Sequence, residues 1–363
     1  MTPLEVEIRR IIAVDGPMSV AAFMGLCLGH PLHGYYMARD PFGRRGDFVT
    51  APEVSQMFGE LLGLWAAATW QAMGAPARLA LVELGPGRGT LMSDALRAVR
   101  IVPAFGAALG VHLVETSPVL QRLQQQRLGG LDVPIAWHRD VAALPDGPLI
   151  VIANEFFDAL RVHQAVKTAT GWHERMIGTD PGGALVFALH PDPIPGFAAT
   201  MPPGLAGAPA GAVYEWRSGA IVADLAGRVA RNGGAALILD YGHVDSALGE
   251  TLQAVGRHAF ADPLATPGAV DLTAHVDFAA LARTAERAGA GTHGPVTQGA
   301  FLRRLGIETR AATLRATATA VQAADVDAAL ARLTGTGQDA MGELFKAMAF
   351  TDPRLGPLPG FDS

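Results

Sequence analysis

Short apolar runs alternate with segments of helical spacing through the middle of the chain. The first run, at 79–84, has the length of a strand buried on both faces, and a helix with apolar residues at every third or fourth position follows from Thr90. Strands separated by such helices predict an α/β fold with a doubly wound, mostly parallel sheet and right-handed crossovers. Further strands are predicted at 111–114, 135–138, 149–153 and 235–239.

Two regions interrupt this alternation. Residues 162–177 predict a hairpin that turns at Thr170-Gly171, and the stretch that continues to Ala212 is rich in proline and glycine, so we expect it to be irregular. The tail from Val276 is alanine-rich and is predicted to be helical. We therefore expect four units. They are an N-terminal helical and lid segment (1–77), the first half of the sheet core (78–160), an inserted hairpin and irregular subdomain on the substrate side (161–215), and the second half of the core with the helical tail (216–363).

The strongest chemical signal is a glycine turn between the first strand and its helix. Gly85, Gly87 and Gly89 lie within ELGPGRGT (83–90), and their missing Cβ atoms permit positive φ angles and a close approach of ligand to backbone. The N-terminus of the following helix offers unpaired N–H groups and a partial positive charge. Ligands of doubly wound sheets bind at the carboxyl ends of the strands, so the turn predicts a nucleoside-type cofactor site rather than a plain structural turn.

Acidic residues at the ends of the next two strands fit such a cofactor. Glu115 is placed to accept hydrogen bonds from a ribose diol, and Asp140 from an adenine amino group. The glycine spacing differs from the G-x-G-x-x-G of dinucleotide sites, and the turn lacks the lysine and Ser/Thr of a P-loop. Glu83, just before the turn, suits the cationic sulfonium and amino group of S-adenosyl-L-methionine better than a pyrophosphate. We therefore predict S-adenosyl-L-methionine as the cofactor, with NAD as the alternative.

Six segments of the sequence resemble the MidA family, the bacterial and mitochondrial proteins related to a complex I assembly-factor methyltransferase. The resemblance implies a class I methyltransferase fold and symmetric dimethylation of an arginine on the quinone-site core subunit of respiratory complex I, met before assembly. It implies that the glycine turn, Glu115 and Asp140 lie in the cofactor site, with Asn154 and Glu155 at the acidic end of the fourth strand. Arg161 stands where a proline is expected. The segments are HGYY (33–36), GDFVTAPEVSQMFGE (46–60), ELGPGRGT (83–90), NEFFDAL (154–160), DYG (240–242) and DLTAHVDF (271–278).

Methylation of an arginine needs a carboxylate, because a guanidinium has delocalised lone pairs and is a poor nucleophile. A carboxylate that grips two of its N–H groups draws positive charge to that side and frees the third nitrogen, while transfer itself depends on proximity and orientation. Glu155 is our catalytic candidate, with Asp158 or Glu53 as a second carboxylate. Phe156 and Phe157 are candidates for the wall of the substrate tunnel. The alternative is a buried acid that caps a neighbouring helix beside two core phenylalanines.

Two further segments are candidates for ligand contacts. The segment GDFVTAPE (46–53) is of a kind that folds over a cofactor as a lid, with Thr50 or Glu53 touching it; the alternative is an N-capped turn before the next helix. Tyr241 follows the fifth strand and is a candidate for the mouth of the substrate site. His30 and His33 flank a proline in a loop without a nearby acid, so we expect structural roles for them and no metal site.

Composition narrows the partners and the compartment. Half of the residues are hydrophobic and 17% are charged, which excludes a disordered chain. The net charge is -6, so nucleic acid is not an expected partner, although NEFFDAL faintly resembles the N-P-P-Y motif of nucleic-acid amino methyltransferases. No run approaches the roughly 20 apolar residues of a membrane span, and the N-terminus lacks the features of a signal peptide. We expect a cytoplasmic bacterial protein, or a mitochondrial-matrix protein as for the organellar members.

The function predicted from these residues is therefore S-adenosyl-L-methionine-dependent protein arginine methylation. Two alternatives stay open, a non-catalytic assembly chaperone of complex I and a small-molecule methyltransferase. The intact glycine turn with Glu115 favours a working cofactor site over a chaperone. The insertion favours a large acceptor over a small molecule, which needs no such platform.

Overall fold

The computed structural model describes residues 1–38, 40, 49–256, 259–337 and 340–361. Its strands are β1 (Met18–Ser19), β2 (Leu79–Leu84), β3 (Leu109–Val114), β4 (Ile135–His138), β5 (Leu149–Asn154), β6 (Val162–Lys167), β7 (Trp172–Thr179), β8 (Leu185–Leu189), β9 (Val213–Arg217), β10 (Gly234–His243), β11 (Gln253–Gly256), β12 (Ala259–Ala261), β13 (Asp271–Thr273), β14 (Val276–Asp277), β15 (Gly291–Thr297) and β16 (Phe345–Thr351). Its helices are α1 (Pro3–Asp15), α2 (Val20–Gly29), α3 (Tyr35–Ala38), α4 (Ala51–Val54), α5 (Gln56–Ala72), α6 (Thr90–Ala98), α7 (Pro103–Ala108), α8 (Pro118–Leu128), α9 (Phe197–Thr200), α10 (Ala220–Asn232), α11 (Phe278–Arg287), α12 (Gln298–Arg304), α13 (Ile307–Arg315) and α14 (Ala320–Thr334).

The central sheet contains five parallel strands in the order β4-β3-β2-β5-β10. Each strand that the apolar runs predicted for this sheet is present, and helices connect them, which confirms the doubly wound α/β fold. In the register, Leu84 at the end of β2 lies beside Val114 and Ala153, so these three strands end at one edge. The glycine turn therefore lies between the ends of β3 and β5.

The tail differs from the helical segment that we expected. It contains α11 to α14, but β16 also pairs antiparallel with β10, and β15 pairs antiparallel with β16. The short β14 extends the carboxyl edge by pairing parallel with the end of β10. The prediction of a wholly helical tail was wrong for β16. Its sequence, FKAMAFT, is rich in residues of good helix propensity, but pairing within the sheet overrides that preference.

Helices cover both faces of the sheet, as buried parallel strands require. One face packs against α5, α6 and α12 to α14, and the other against α10 and α11. Helices α5 and α6 lie close together because Gly63 has no side chain; a Cβ there would lie 2.7 Å from Cα of Ala95. None of the helices in the described ranges is both long and apolar enough to cross a membrane.

The insertion forms a second sheet in the order β1-β7-β6-β9, with β8 beside β7. The predicted hairpin is β6 and β7, and the Thr168 N–H donates to the Gly171 carbonyl (2.7 Å) to close its turn. The continuation is less irregular than we expected, since it contains β8 and α9, and β9 returns beside β6. Because β1 pairs with β7, the N-terminal segment shares a core with the insertion. The order of the third sheet is β12-β11-β13.

Candidate active site

The glycine turn has the backbone that its composition predicts. Gly85, Gly87 and Gly89 have φ angles of 60°, 52° and 77°, in the left-handed region that favours glycine. A Cβ on Gly85 would also lie 3.0 Å from the Phe156 ring. Gly89 is the N-cap of α6 and has no side chain to cap the helix, so the N–H groups of Thr90 and Leu91 at the start of this nine-residue helix receive no cap from it.

A pocket opens where this turn meets the end of β5 and the segment before α5. It contains seven of the residues that the sequence predicted for the site. Of the other predicted residues, Gly89 is at the N-terminus of α6, and Glu115, Asp140, Phe156, Asp158 and Tyr241 are not among those that line the pocket. The pocket is lined by Thr50, Pro52, Glu53, Glu83, Gly85, Pro86, Gly87, Arg88, Thr90, Leu91, Asn154 and Glu155.

Two buried acceptors in this pocket lack partners within the described part of the chain. Glu83 is 3% exposed, and its Oε2 accepts no hydrogen bond. Burial raises the pKa of Glu83 to about 8, against a smaller opposing effect of the Met92 backbone N–H. The Oδ1 of Asn154 is likewise buried without a donor. Unpaired buried acceptors are costly, so the two residues fit a ligand with a cationic amino group, as the amino-acid part of S-adenosyl-L-methionine has.

Glu155 combines backbone strain with a carboxylate at the pocket. Its φ of 49° lies in the left-handed region, where a residue other than glycine costs about 1–3 kcal/mol, and such residues cluster at functional sites. Its Oε1 accepts from the Ala51 N–H and from the Asn154 side chain, both at 3.0 Å. Burial raises the pKa of Glu155 to about 7. Because Ala51 is the first residue of α4, its hydrogen bond to Glu155 is the helix cap expected if Glu155 were a structural acid. The cap occupies only Oε1, so it does not exclude a role for Glu155 in binding the substrate.

Glu53 is already hydrogen-bonded inside the pocket. Its Oε1 accepts from the Thr90 hydroxyl at 2.5 Å, and its Oε2 lies 3.8 Å from the Arg88 guanidinium. Arg88 in turn holds Asp40, with its Nε 2.9 Å from Oδ2. Thr50 is the N-cap of α4, but its side chain makes no capping hydrogen bond. The first three residues of the predicted lid, 46–48, lie outside the described residues, and the role of the lid stays a prediction.

The two acids predicted for the nucleoside end occupy different surroundings. Glu115 is half-buried; its Oε1 accepts from the Ser117 N–H (2.7 Å) and its Oε2 from the Gln124 side chain (3.1 Å). Asp140 is exposed, and its Oδ1 accepts from the Ala142 N–H (2.9 Å), which caps a short helical turn. Both follow strands at the carboxyl edge, as predicted. Their contacts with adenosine stay predictions.

Asp158 and Tyr241 form a pair on the other side of the Glu155 turn. Asp158 is 6% exposed and accepts from the Tyr241 hydroxyl, and its Oδ1 has no partner among the described residues. Burial raises the pKa of both groups. The ring of Phe156 contacts Phe157 edge to face at 5.4 Å, and Phe157 belongs to the core. The side chain of Asp158 therefore contacts Tyr241. The predicted catalytic role of Asp158 and the predicted substrate contacts of Phe156 and Tyr241 stay predictions.

Sequence reasoning missed the residue that shapes this turn. Asp240 is fully buried, and its carboxylate accepts from the backbone N–H groups of Phe157 (2.9 Å), Asp158 (3.2 Å) and Tyr241 (2.9 Å). Burial, together with the charges of Asp158 and Glu155, raises its pKa well above the ordinary value. Its position at the end of an apolar strand was visible in the motif DYG, but only Tyr241 was chosen from that motif.

A second overlooked residue lies at the end of β9, in the second sheet. Arg217, in β9, donates from its Nη1 to the His275 carbonyl (2.7 Å) and from its Nε to the Leu160 carbonyl (3.2 Å). Its Nη2 donates to the Ala274 carbonyl (2.5 Å). The side chain therefore joins the loop after β5 to the loop before β14. No pattern in the sequence signals it, because its partners are backbone atoms 57–58 residues away.

A doubly wound sheet with a glycine turn and an unpaired acid before it defines an S-adenosyl-L-methionine-dependent methyltransferase. Comparison with known proteins agrees: residues 61–296 match the model of a family of S-adenosyl-L-methionine-dependent methyltransferases, Methyltransf_28. The chain belongs to this family, the one that the MidA-like motifs indicated.

Relatives of known name and structure extend the comparison. The mitochondrial protein arginine methyltransferase NDUFAF7 of Xenopus tropicalis is 41% identical over 327 residues, which cover 82% of this chain and 74% of that protein. The human NDUFAF7 is 38% identical over 345 residues, 85% and 75% of the two chains. A crystal structure from Burkholderia thailandensis, bound to S-adenosylhomocysteine, has 31% identity and a TM-score of 0.84, covering 99% of this chain and 92% of that one.

Proposed function

We propose that this methyltransferase acts on an arginine of a protein and that Glu155 holds the acceptor guanidinium. The observation that carries the proposal is the strained, half-buried carboxylate of Glu155 in the wall of the cofactor pocket. Relatives at about 40% identity that bear the name protein arginine methyltransferase support the choice of acceptor. The finer form of the proposal is symmetric dimethylation of an arginine on the quinone-site subunit of respiratory complex I before assembly, in the bacterial cytoplasm.

Different residues of the pocket would bind the cofactor and the acceptor guanidinium. S-adenosyl-L-methionine supplies an electrophilic methyl group on a sulfonium when bound. Glu83 and Asn154 would hold its cationic amino group, and Glu115 its ribose hydroxyls. The two hydrogen bonds that Glu155 accepts from the Ala51 N–H and the Asn154 side chain both fall on Oε1, and Oε2 would accept from the guanidinium. With its pKa raised to about 7, Glu155 is also suited to take the proton that the methylated nitrogen releases.

Labelled methyl transfer tests the proposal. Purified protein and S-adenosyl-L-methionine with a labelled methyl group are added to an extract of a strain that lacks this gene. We expect one labelled protein band that contains methylarginine by mass spectrometry, and the finer proposal requires that band to be the quinone-site subunit with symmetric dimethylarginine.

Two variants serve as controls. Gly87→Val should abolish binding of S-adenosylhomocysteine, because valine disfavours a φ of 52° and fills the pocket. Glu155→Gln should bind S-adenosylhomocysteine within about twofold of the parent and should transfer the methyl group at least about tenfold more slowly, because losing about 1.4 kcal/mol of charge interaction with the guanidinium lowers the rate tenfold. Label in small molecules alone would indicate a small-molecule methyltransferase. Binding without any transfer would indicate an assembly chaperone.

A further inference from the structure

A single buried amide links the glycine turn to the end of β3. Gln124, in α8, is fully buried. Its Nε2 donates to the Gly87 carbonyl (2.8 Å) and to the Glu115 Oε2 (3.1 Å). Its Oε1 accepts from the Trp137 indole N–H (3.0 Å) on the neighbouring strand β4. Every polar atom of this side chain therefore has a partner, and the partners come from three different elements.

The donor pattern allows only one orientation of this amide. A carbonyl and a carboxylate oxygen can only accept, and an indole N–H can only donate. Reversing the amide would bring its oxygen against both acceptors, so the Trp137 N–H determines which end faces Glu115. Glutamate at this position, although the same size, would place a second carboxylate beside Glu115.

The remaining bond of Glu115 fixes its other oxygen. Oε1 accepts from the Ser117 N–H at 2.7 Å, so both carboxylate oxygens are held by donors from the protein. A carboxylate has about four acceptor positions, so these donors leave positions open to a ligand. Two adjacent hydroxyl groups, as in a ribose, match a carboxylate held in this way.

We propose that Gln124 is a positioning residue of the cofactor site, which orients Glu115 toward the ribose hydroxyls and ties it to the Gly87 carbonyl. The inference rests on the cofactor and not on the identity of the methyl acceptor. It can therefore fail while arginine methylation stands, and arginine methylation can fail while it stands.

Calorimetric titration of the full chain tests the role. The ligands are S-adenosylhomocysteine and its 2′-deoxy analogue, which lacks one ribose hydroxyl. Gln124→Met removes the donors and keeps the length of the side chain. We expect it to bind S-adenosylhomocysteine at least about tenfold more weakly, the value of one charge-assisted hydrogen bond, and to bind the analogue with a loss of less than about threefold. Gln125→Met is the matched control on the same helix, because Gln125 is exposed, and it should bind both ligands as the parent does.

A second variant covers the case in which Gln124→Met does not fold. Trp137→Phe removes the donor to the Gln124 Oε1. We expect it to bind S-adenosylhomocysteine about threefold more weakly than the parent and to lose less affinity for the 2′-deoxy analogue. The indole N–H resonance of Trp137, assigned by its absence from this variant, should shift on binding of S-adenosylhomocysteine and should shift less with the 2′-deoxy analogue, which keeps only one of the two hydroxyl groups. Equal losses for the two ligands in both variants, or unchanged binding by Gln124→Met, would overturn the proposal.

Discussion

Replacing Glu83 by glutamine tests the electrostatics of the cofactor pocket. The carboxyl is buried with one oxygen unpaired, and its pKa is raised from 4.5 to about 8. That pKa difference means that ionising Glu83 in the unliganded protein costs at most about 5 kcal/mol more than ionising a glutamate in water. At pH 7 only about one molecule in ten therefore carries the carboxylate. A ligand that brings an ammonium group must bind the charged form, so it has to supply this energy.

The pH dependence of binding follows with a definite sign. If the cofactor amino group pairs with the Glu83 carboxylate, the affinity for S-adenosylhomocysteine should rise by up to about tenfold per pH unit from pH 6 to pH 8 and then level off. Glu83→Gln should bind at least about tenfold more weakly at pH 8 and should show a much flatter profile. Calorimetric titration between pH 6 and pH 8.5 measures both effects.

Stability without ligand should move in the opposite direction. Because the pKa of Glu83 is higher in the folded state, the folded protein binds more protons than the unfolded chain between pH 4.5 and 8, and its stability falls as the pH rises through this range. Glu83→Gln removes that loss, so the unliganded variant should melt higher than the parent at pH 8.5 while binding worse.

A buried carboxylate outside the pocket is the control for this experiment. Glu60 in α5 accepts from Arg97 and Arg310, so Glu60→Gln should melt lower and keep the affinity for S-adenosylhomocysteine. If Glu83→Gln instead retains the parental affinity and the parental pH slope, Glu83 does not pair with a cationic group of the ligand, and the reasoning is refuted.

Three further outcomes are expected. Methyl transfer at saturating cofactor should rise through pH 7, because Glu155 must be a carboxylate to hold a guanidinium, and pH–rate profiles of the parent and Glu155→Gln check this; an identical rise in both would contradict it. Asp240→Asn should lower the free energy of unfolding by about 1–3 kcal/mol in denaturant titrations, since an amide turns a donor toward backbone N–H groups; a stability unchanged from the parent would exclude that role. Glu115→Ala should weaken binding of S-adenosylhomocysteine at least about tenfold in calorimetry, whereas Asp140→Ala, at an exposed position, should weaken it less than about threefold; the reverse order would assign the nucleoside contact to Asp140.

The parts of the fold that local pattern determines were predictable. Buried parallel strands are apolar and short, and the glycine turn follows β2 directly, so the sheet edge and the position of the pocket could both be derived from the chain. Glu83 was chosen as the acid before the glycine turn, and Asn154 and Glu155 were chosen from the MidA-like motif at the end of the next strand in the sheet. All three line the pocket, because residues at the ends of adjacent parallel strands lie close together.

The missed features depend on partners that are distant in the sequence. Strand β15 contains two glycines and a proline, and β16 has alanine and lysine, so neither has the alternation of a strand. Pairing with β10 determines β16, and pairing with β16 determines β15. Gln124 reads as one of several similar glutamines in α8, and only its burial against Gly87, Glu115 and Trp137 distinguishes it. Asp240 and Arg217 form hydrogen bonds with backbone atoms. Every residue type has such atoms, so the sequence does not indicate these partners.

The contacts of Arg217 mean that the insertion is not a removable module. Excision of residues 162–217 would remove the charged donor of the Leu160, Ala274 and His275 carbonyls, and a hydrogen bond to a charged group contributes about 1.5–3 kcal/mol. It would also remove the partner of β1 and part of the core that holds α1 and α2. A minimal catalytic core cut from this chain should therefore be unstable, and the intact protein should unfold as one cooperative unit, with insertion and sheet melting together.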